Sequence, residues 1–522
     1  MRSVPVVRDD RTASAESRRV LDVATTFGLA IAAIFVVIGV RVLGALPHDF
    51  DEGWLMVDAR LIRGGARPFV DFPHHETPLH LYLLAFFGDL FGHTVFGYRM
   101  LSLASLAGSG FLVFALARPF TGAMPALVGE AVFLFSPVQS RALTALPETP
   151  ALFFTLLGAV LLYTRSSRWS AGASAVAFVA ATLVKPTCLV VIAAAAASLV
   201  LGRAWRRLID FALVGAAVGG IALVWVVWLS DGIFAEVVSF QLTRLGTHRV
   251  GMWAIDSGFH DVKRMLGIET PRQWAALNFR TYFQTRFEPT PVAVFTLGLL
   301  AIPVWTLGCA RTHAALRTFV ALWPASLLVL NFLVMDFVSP RYFIPYFGFS
   351  AFLVTGWFWL AARYAGTRAV GTVAVVACLA LAGHFTRLLG SDSDFQFWGR
   401  SRAIAEAHPR VVSFSPLFFA ATGAEPACDF GNSALTYGSF GESFLLTERT
   451  KRFRVSDERL IACLRAHPEI PVIVDWAFYY FTRPGSALRA YLEGEGSAQR
   501  LFFSPDAVAQ WDRPLLRMSA FR

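Results

Sequence analysis

Apolar runs and short polar connections alternate along most of the chain. The runs lie near 22–46, 95–117, 122–136, 150–163, 170–184, 188–202, 208–229, 291–309, 317–335, 343–362 and 368–386. A backbone inside a bilayer must satisfy its own hydrogen bonds, and about 20 apolar residues in a helix cross the hydrocarbon core. The pattern therefore predicts a mainly α, polytopic membrane protein of about eleven transmembrane helices. The third to sixth runs are short, so their helices must extend into neighbouring polar residues. After about residue 387 the pattern changes. Val411–Ser415 and Val472–Asp475 read as strands, and Asp457–Ala466 reads as a helix before the second. Strand, helix and strand predict a small C-terminal α/β domain. The expected organisation is a tail at 1–21, a membrane domain at 22–387 and an α/β domain at 388–522.

Two polar stretches interrupt the runs at length, 47–94 and 230–290. In the first, Glu52–Gly64 has the apolar spacing of a short amphipathic helix, with Gly64-Gly65 ending it. Leu79–Phe91 is apolar but too short to span, and suits a helix lying in the membrane interface. Between and before these helices the loop gathers Asp49, Asp51, Glu52, Asp58, Asp71, His74, His75 and Glu76. Carboxylates and imidazoles at a membrane surface are costly unless water or a charged ligand meets them.

Composition agrees with the membrane reading. Hydrophobic residues make up 56% of the 522, and the mean hydropathy is +0.55, which excludes an ordinary soluble domain. The net charge of +10 comes almost entirely from arginine between the apolar runs. It does not form a nucleic-acid-binding face, so no nucleic-acid partner is expected. With the N-terminus inside, Arg2, Arg8, Arg11, Arg18, Arg19, Arg118, Arg165, Arg168, Arg203, Arg206, Arg207, Arg311, Arg317, Arg363 and Arg368 all fall on cytoplasmic segments. This positive-inside pattern places 47–94, 230–290 and the C-terminal domain outside a bacterial plasma membrane. The first run, 22–46, is long for a signal-peptide core and reads as an uncleaved span. Five cysteines are too few and scattered for a metal cluster. Cys428 and Cys463 can pair if the tail lies in an oxidising compartment.

Each charged candidate has two readings. Asp51 is either a general base or the N-cap of the helix after it. Glu52 is a second acid or a structural partner. Glu148, between two prolines at the outer end of a span, holds an acceptor or metal, or is simply solvated. Lys185 is one of three lysines in the chain. It sits at the outer membrane level, as a phosphate contact or a snorkelling side chain. Arg341 has the same two readings, and its planar fork suits phosphate. Tyr342 supports a phosphate or belongs to an aromatic belt. His75 and Glu76, with His74 beside them, offer ligands to a divalent metal, and His248, Asp256 and His260 of the second long loop offer more. Arg41 and Arg99 receive no functional role.

In order, Asp51-Glu52, Gly64-Gly65 through Pro73, HisHisGluThrProLeu at 74–79, ProGluThrPro at 147–150, LeuValLysPro at 183–186 and ProArgTyrPheIlePro at 340–345 form a series of motifs. This series resembles the glycosyltransferases of superfamily C, specifically family 39-like enzymes: bacterial aminoarabinose transferases and, more distantly, protein O-mannosyltransferases. The resemblance covers Asp22–Ala362. It implies a polyprenyl-phosphate-linked sugar donor, a cell-envelope lipid, glycan or protein acceptor, and inverting transfer of a hexosyl or pentosyl group on the outer face. Asp51 would be the base, with Glu52 and Glu148 beside it, and Lys185, Arg341 and Tyr342 would meet the donor phosphate. Lipopolysaccharide or glycan modification is the implied role. The chain departs from the family where Glu76 stands in place of a phosphate-contacting lysine, and where Glu148 stands in place of an aspartate. Two other classes compete: a polytopic transporter or lipid flippase, and a non-catalytic cell-envelope assembly factor. No inverted repeat supports the first.

Overall fold

The structure is a computed structural model. It describes residues 10–44, 50–72, 74, 77–136, 142–165, 167–231, 289–329, 344–366, 371–372, 376, 379–380, 382–383, 395–428, 437, 455–474, 478, 482 and 485–502. In chain order, α1 (Asp10–Val42), α2 (Phe50–Arg63), α3 (Leu79–Phe91), α4 (Val95–Thr121), α5 (Ala123–Leu134), α6 (Glu148–Thr164), α7 (Arg168–Val184), α8 (Leu189–Leu201) and α9 (Trp205–Leu229) form the first part. They are followed by α10 (Pro289–Leu300), α11 (Ala314–Val329) and α12 (Ile344–Ala365).

Among the described residues, three helices are long and apolar enough to cross a membrane by length and composition: Val23–Val42, Val95–Thr121 and Trp205–Leu229. Most other expected spans correspond to shorter apolar helices, among them Ala123–Leu134, Glu148–Thr164, Trp169–Val184 and Ala314–Trp323. The 343–362 run becomes Ile344–Ala365, and most of 368–386 lies outside the described residues, as does 232–288 of the second long loop. Three departures from the expected pattern have local causes. The first helix begins at Asp10 and so carries part of the polar N-terminus. Gly122, at φ +87°, closes α4 and opens α5 in a single residue, donating its N–H to the Arg118 carbonyl. The run near 291–309 is broken: α10 stops at Leu300, and Pro303, which has no N–H to donate, is followed by a wider turn in which Ala310 N–H reaches the Trp305 carbonyl at 2.8 Å.

The core of the bundle is packed by small residues against large ones. A Cβ on Gly110 would meet Leu134 at 2.6 Å, and one on Gly129 would meet Thr355 at 2.3 Å, so both positions need glycine for helices to approach this closely. Beside them, Trp305 packs on Phe352 at 4.3 Å and Trp323 on Phe349 at 3.9 Å. The Trp305 indole N–H finds the Leu353 carbonyl at 2.9 Å.

At one end of the bundle, Arg118 donates to Thr25 Oγ1 at 2.7 Å, joining the end of α4 to α1. Arg207 donates to the Leu162 and Arg165 carbonyls at the end of α6, where unpaired helix carbonyls favour a cation. These arginines are among those assigned to the cytoplasmic side. The acidic loop lies at the opposite end, together with the tail.

The tail is α/β. Helix α13 (Phe395–Ala407), β1 (Arg410–Ser413), α14 (Pro416–Thr422), β2 (Glu425–Pro426), α15 (Asp457–Ala466), β3 (Val472–Val474), α16 (Ala487–Glu493) and β4 (Arg500–Phe502) follow one another. The strands form a parallel sheet in the order β2-β1-β3-β4. Helices on the connections are what parallel neighbours require. Ser456 caps α15 by accepting from Arg459 N–H. A disulfide joins Cys428 to Cys463 on α15.

Candidate active site

Asp51 and Glu52 occupy the first turn of α2. Carboxylates are favoured there by the helix dipole. Their environments differ. Asp51 is half-buried, whereas Glu52 is completely enclosed. Arg99 of α4, equally enclosed, donates Nε to Glu52 Oε1 at 2.6 Å and Nη2 to Oε2 at 2.7 Å. Its Nη1 donates to the Leu43 carbonyl at 2.7 Å, just past α1. Glu52 Oε1 also accepts the backbone N–H of Ala145 at 2.8 Å. One ion pair therefore joins the end of α1, the start of α2, the first turns of α4 and the loop before α6. A bidentate guanidinium–carboxylate pair with its other valences filled is the form in which a buried charge pair is tolerable.

The loop at 142–147 is held from several sides. Ser102 Oγ donates to the Thr144 carbonyl at 2.7 Å, Thr149 Oγ1 to the Ala142 carbonyl at 2.8 Å, and His80 Nε2 lies 3.1 Å from the Ala145 carbonyl. Glu148 then opens α6 and is buried. Lys185 follows α7, with its backbone extended ahead of Pro186. Its Nζ donates to Glu148 Oε1 at 2.8 Å, and the pair is almost entirely buried. Thr77 Oγ1 donates to the Thr182 carbonyl at 3.2 Å, bringing the Thr77-Pro78-Leu79 turn to the same corner. Leu79 and Leu83 pack there with Ala151, Ala181, Val184 and Cys188.

A buried imidazole–carboxylate pair lies at the α2–α3 connection. His74 Nδ1 lies 3.3 Å from Asp58 Oδ2, with both side chains buried. The His74 ring sits edge-on to Phe69, whose centroid is 5.6 Å away. Phe69 itself is at φ +70°, an uncommon conformation for a bulky residue, and is buried against Val226, Leu183 and Trp225. The strained turn thus anchors the acidic loop to the end of α9.

Of the residues singled out in the sequence, Glu148 and Lys185 are brought into contact. Asp51 is held beside the same loop through its neighbour Glu52. Glu52 is the partner of Arg99, a residue given no role from sequence. His75, Glu76, Arg341 and Tyr342 lie outside the described residues, as do His248, Asp256 and His260. Among the described residues there is no group of three His, Cys, Asp or Glu side chains placed to hold a metal.

Comparison with known proteins bears on this same region. The family model for dolichyl-phosphate-mannose-protein mannosyltransferase matches residues 75–230, less than a third of the chain. That stretch contains the 147–150 and 183–186 motifs of the series. No curated protein matches the chain. Among solved structures, ArnT from Cupriavidus metallidurans bound to undecaprenyl phosphate is similar, at 16% identity, 86% of this chain, 90% of that one and a TM-score of 0.46. The Archaeoglobus fulgidus oligosaccharyltransferase in complex with Zn and sulfate gives 13% identity, 73% of this chain and a TM-score of 0.49, with this chain spanning 55% of its length. The same enzyme tethered to an acceptor peptide containing the NVT sequon gives 12% identity, 91% of this chain, 64% of that one and a TM-score of 0.48.

Proposed function

We propose that this protein is an integral-membrane, inverting glycosyltransferase that moves a sugar from a polyprenyl-phosphate donor to a cell-envelope lipid, glycan or protein on the outer face of a bacterial plasma membrane. One observation carries the reading. The stretch matching the mannosyltransferase model contains Glu148 and Lys185, which the fold joins, and Glu52 ties the turn bearing Asp51 to the loop just ahead of Glu148.

In this reading Asp51 accepts the proton of the acceptor hydroxyl as its oxygen bonds to the anomeric carbon. The bond from that carbon to the phosphate oxygen breaks on the opposite face, so configuration inverts. A lipid phosphate is a good leaving group, so the main demand is on the base. Lys185, with Arg341 and Tyr342, meets the departing phosphate. A phosphate arriving at Lys185 would share its ammonium with Glu148, leaving that carboxylate able to receive the acceptor. His75 and Glu76 are the proposed ligands of a divalent metal. Orientation follows the arginines: the end held by Arg118 and Arg207 faces the cytoplasm, and the acidic loop and tail face outward.

The test is transfer by purified protein in nanodiscs, with radiolabelled sugar on a polyprenyl phosphate, followed by mass spectrometry of envelope glycans and glycolipids from cells with and without the protein. Gradient-independent turnover and a missing glycan are expected. Lipid movement without sugar transfer would overturn the reading in favour of a flippase.

A further inference from the structure

The tail is seated directly on the helix that carries Asp51. Three kinds of contact make the seat. A Cβ on Gly53 would lie 2.5 Å from the backbone N and 2.7 Å from the Cα of Leu417 in α14, so backbone meets backbone there and only glycine fits. Val57 belongs to one apolar cluster with Val411, Phe418, Phe419 and Ile473 of the tail, and Ala420 packs with Leu55, Met56 and Ala59. Arg60 donates Nη1 to the Phe419 carbonyl at 2.6 Å and Nη2 to the Ala420 carbonyl at 2.7 Å. It thereby adds a cation to the carbonyl end of α14, where the Phe419 carbonyl also accepts the capping N–H of Gly423. The same Nη2 reaches the His93 carbonyl at 2.8 Å, just before α4.

At 3.6 residues per turn, Gly53, Val57 and Arg60 fall within about 60° on one face of α2, and Asp51 projects about 160° away from Gly53. The contacts at Gly53, Val57 and Arg60 therefore grip α2 on the side away from Asp51. On the other side Glu52 is held by Arg99 and Ala145. A short helix gripped on two sides has little freedom to translate.

We infer that the C-terminal domain is a positioning element for Asp51, with Gly53 and Arg60 as positioning residues: its docking on α2 sets where the base stands relative to the donor. This rests on the glycosyl-transfer reading for its catalytic consequence, but not for the docking itself. A displacement of about 1 Å in a reacting group can cost about 10²-fold in rate.

The experiment uses the full chain in nanodiscs with Gly53→Ala, Arg60→Ala and Arg60→Lys, and has two readouts. Hydrogen exchange of the peptide covering 50–63 reports docking without any substrate. Exchange there should rise in Gly53→Ala and Arg60→Ala while peptides of α4 and α7 stay at wild-type protection. In the transfer assay, kcat should fall by about 10²-fold with the donor KM within about twofold of wild type, and Arg60→Lys should recover part of the loss by contributing one of the lost hydrogen bonds. Unchanged exchange over 50–63 in both variants would overturn the docking claim. Raised exchange with undiminished kcat would overturn the positioning claim. Wild-type protein without transfer activity would defeat the glycosyltransferase reading and, with it, the catalytic consequence, while the exchange result still decides the docking.

Discussion

Arg99 grips both carboxylate oxygens of Glu52, at 2.6 and 2.7 Å, and neither side chain is reached by solvent. Removing either partner leaves the other charge buried, at a cost of about 3–5 kcal/mol for a pair of this kind. Arg99→Met and Glu52→Gln should each lower thermal stability markedly, and their activity should fall with the folded fraction. The measurement is a melting curve beside the specific activity of the folded fraction. A Glu52→Gln protein that melts like wild type but has lost turnover would assign Glu52 to the chemistry instead.

Glu148 and Lys185 call for a double-mutant cycle. Lys185→Met strands a buried carboxylate, and Glu148→Gln strands a buried ammonium, so each single variant should be destabilised. The double variant should be more stable than the sum of the two predicts. Donor affinity separates from stability. A charge-assisted hydrogen bond is worth about 1.5–3 kcal/mol, so both variants lacking Lys185 should bind polyprenyl phosphate more weakly by that amount. Wild-type donor affinity in the double variant would reduce Lys185 to a partner for Glu148.

Orientation is open to labelling with a membrane-impermeant thiol reagent. Arg63 in the first loop and Glu495 in the tail have well-exposed side chains, and Ser167, between α6 and α7, is exposed at the opposite end. In intact spheroplasts Arg63→Cys and Glu495→Cys should label, and Ser167→Cys should label only after lysis. The reverse pattern would invert the topology.

The Cys428–Cys463 disulfide should be present in protein isolated without reductant, as expected of a tail in an oxidising compartment. Cys463→Ser should lower the stability of the tail by about 2–4 kcal/mol. Free thiols at both positions in the isolated wild-type protein would contradict an outward-facing tail.

Much of this was legible because it depends on local pattern. Helix Asp457–Ala466 was readable to the residue, since an amphipathic repeat fills its ten residues directly after Ser456. The short apolar helix Leu79–Phe91 and the strands near 411 and 472 were readable for the same reason. Contacts between distant segments were not. Arg99 lies 47 residues from Glu52 and looks like any arginine in an apolar run. Arg60 reaches a carbonyl 360 residues away, and nothing near it signals that partner. The break after Leu300 was hidden because composition alone does not distinguish a continuous apolar helix from one interrupted at Pro303. Glu148 and Lys185 were each singled out by their position in the motif order, but their contact depends on how α6 packs against α7.

The most discriminating variant is Asp51→Asn. Asparagine keeps the size of the side chain. Because α2 starts at Phe50, Asp51 lies inside its first turn and is not its N-cap. The substitution therefore gives up only the small favourable interaction of a carboxylate with the helix dipole, and α2 should form as before. Glu52, one residue on, keeps its grip on Arg99 and Ala145, and the tail keeps its seat at Gly53 and Arg60. What disappears is the proton acceptor, and a positioned base contributes about 10²–10⁴-fold in rate. Asp51→Asn should therefore melt like wild type, bind the lipid-linked donor with unchanged affinity, and lose single-turnover transfer by that factor. Comparison with Glu52→Gln makes the result specific: there, lost activity should track lost stability, whereas in Asp51→Asn the two should part. Near-normal transfer by a well-folded Asp51→Asn protein would remove the base from the mechanism. A protein that fails to fold would show instead that the Asp51 carboxylate serves the start of α2.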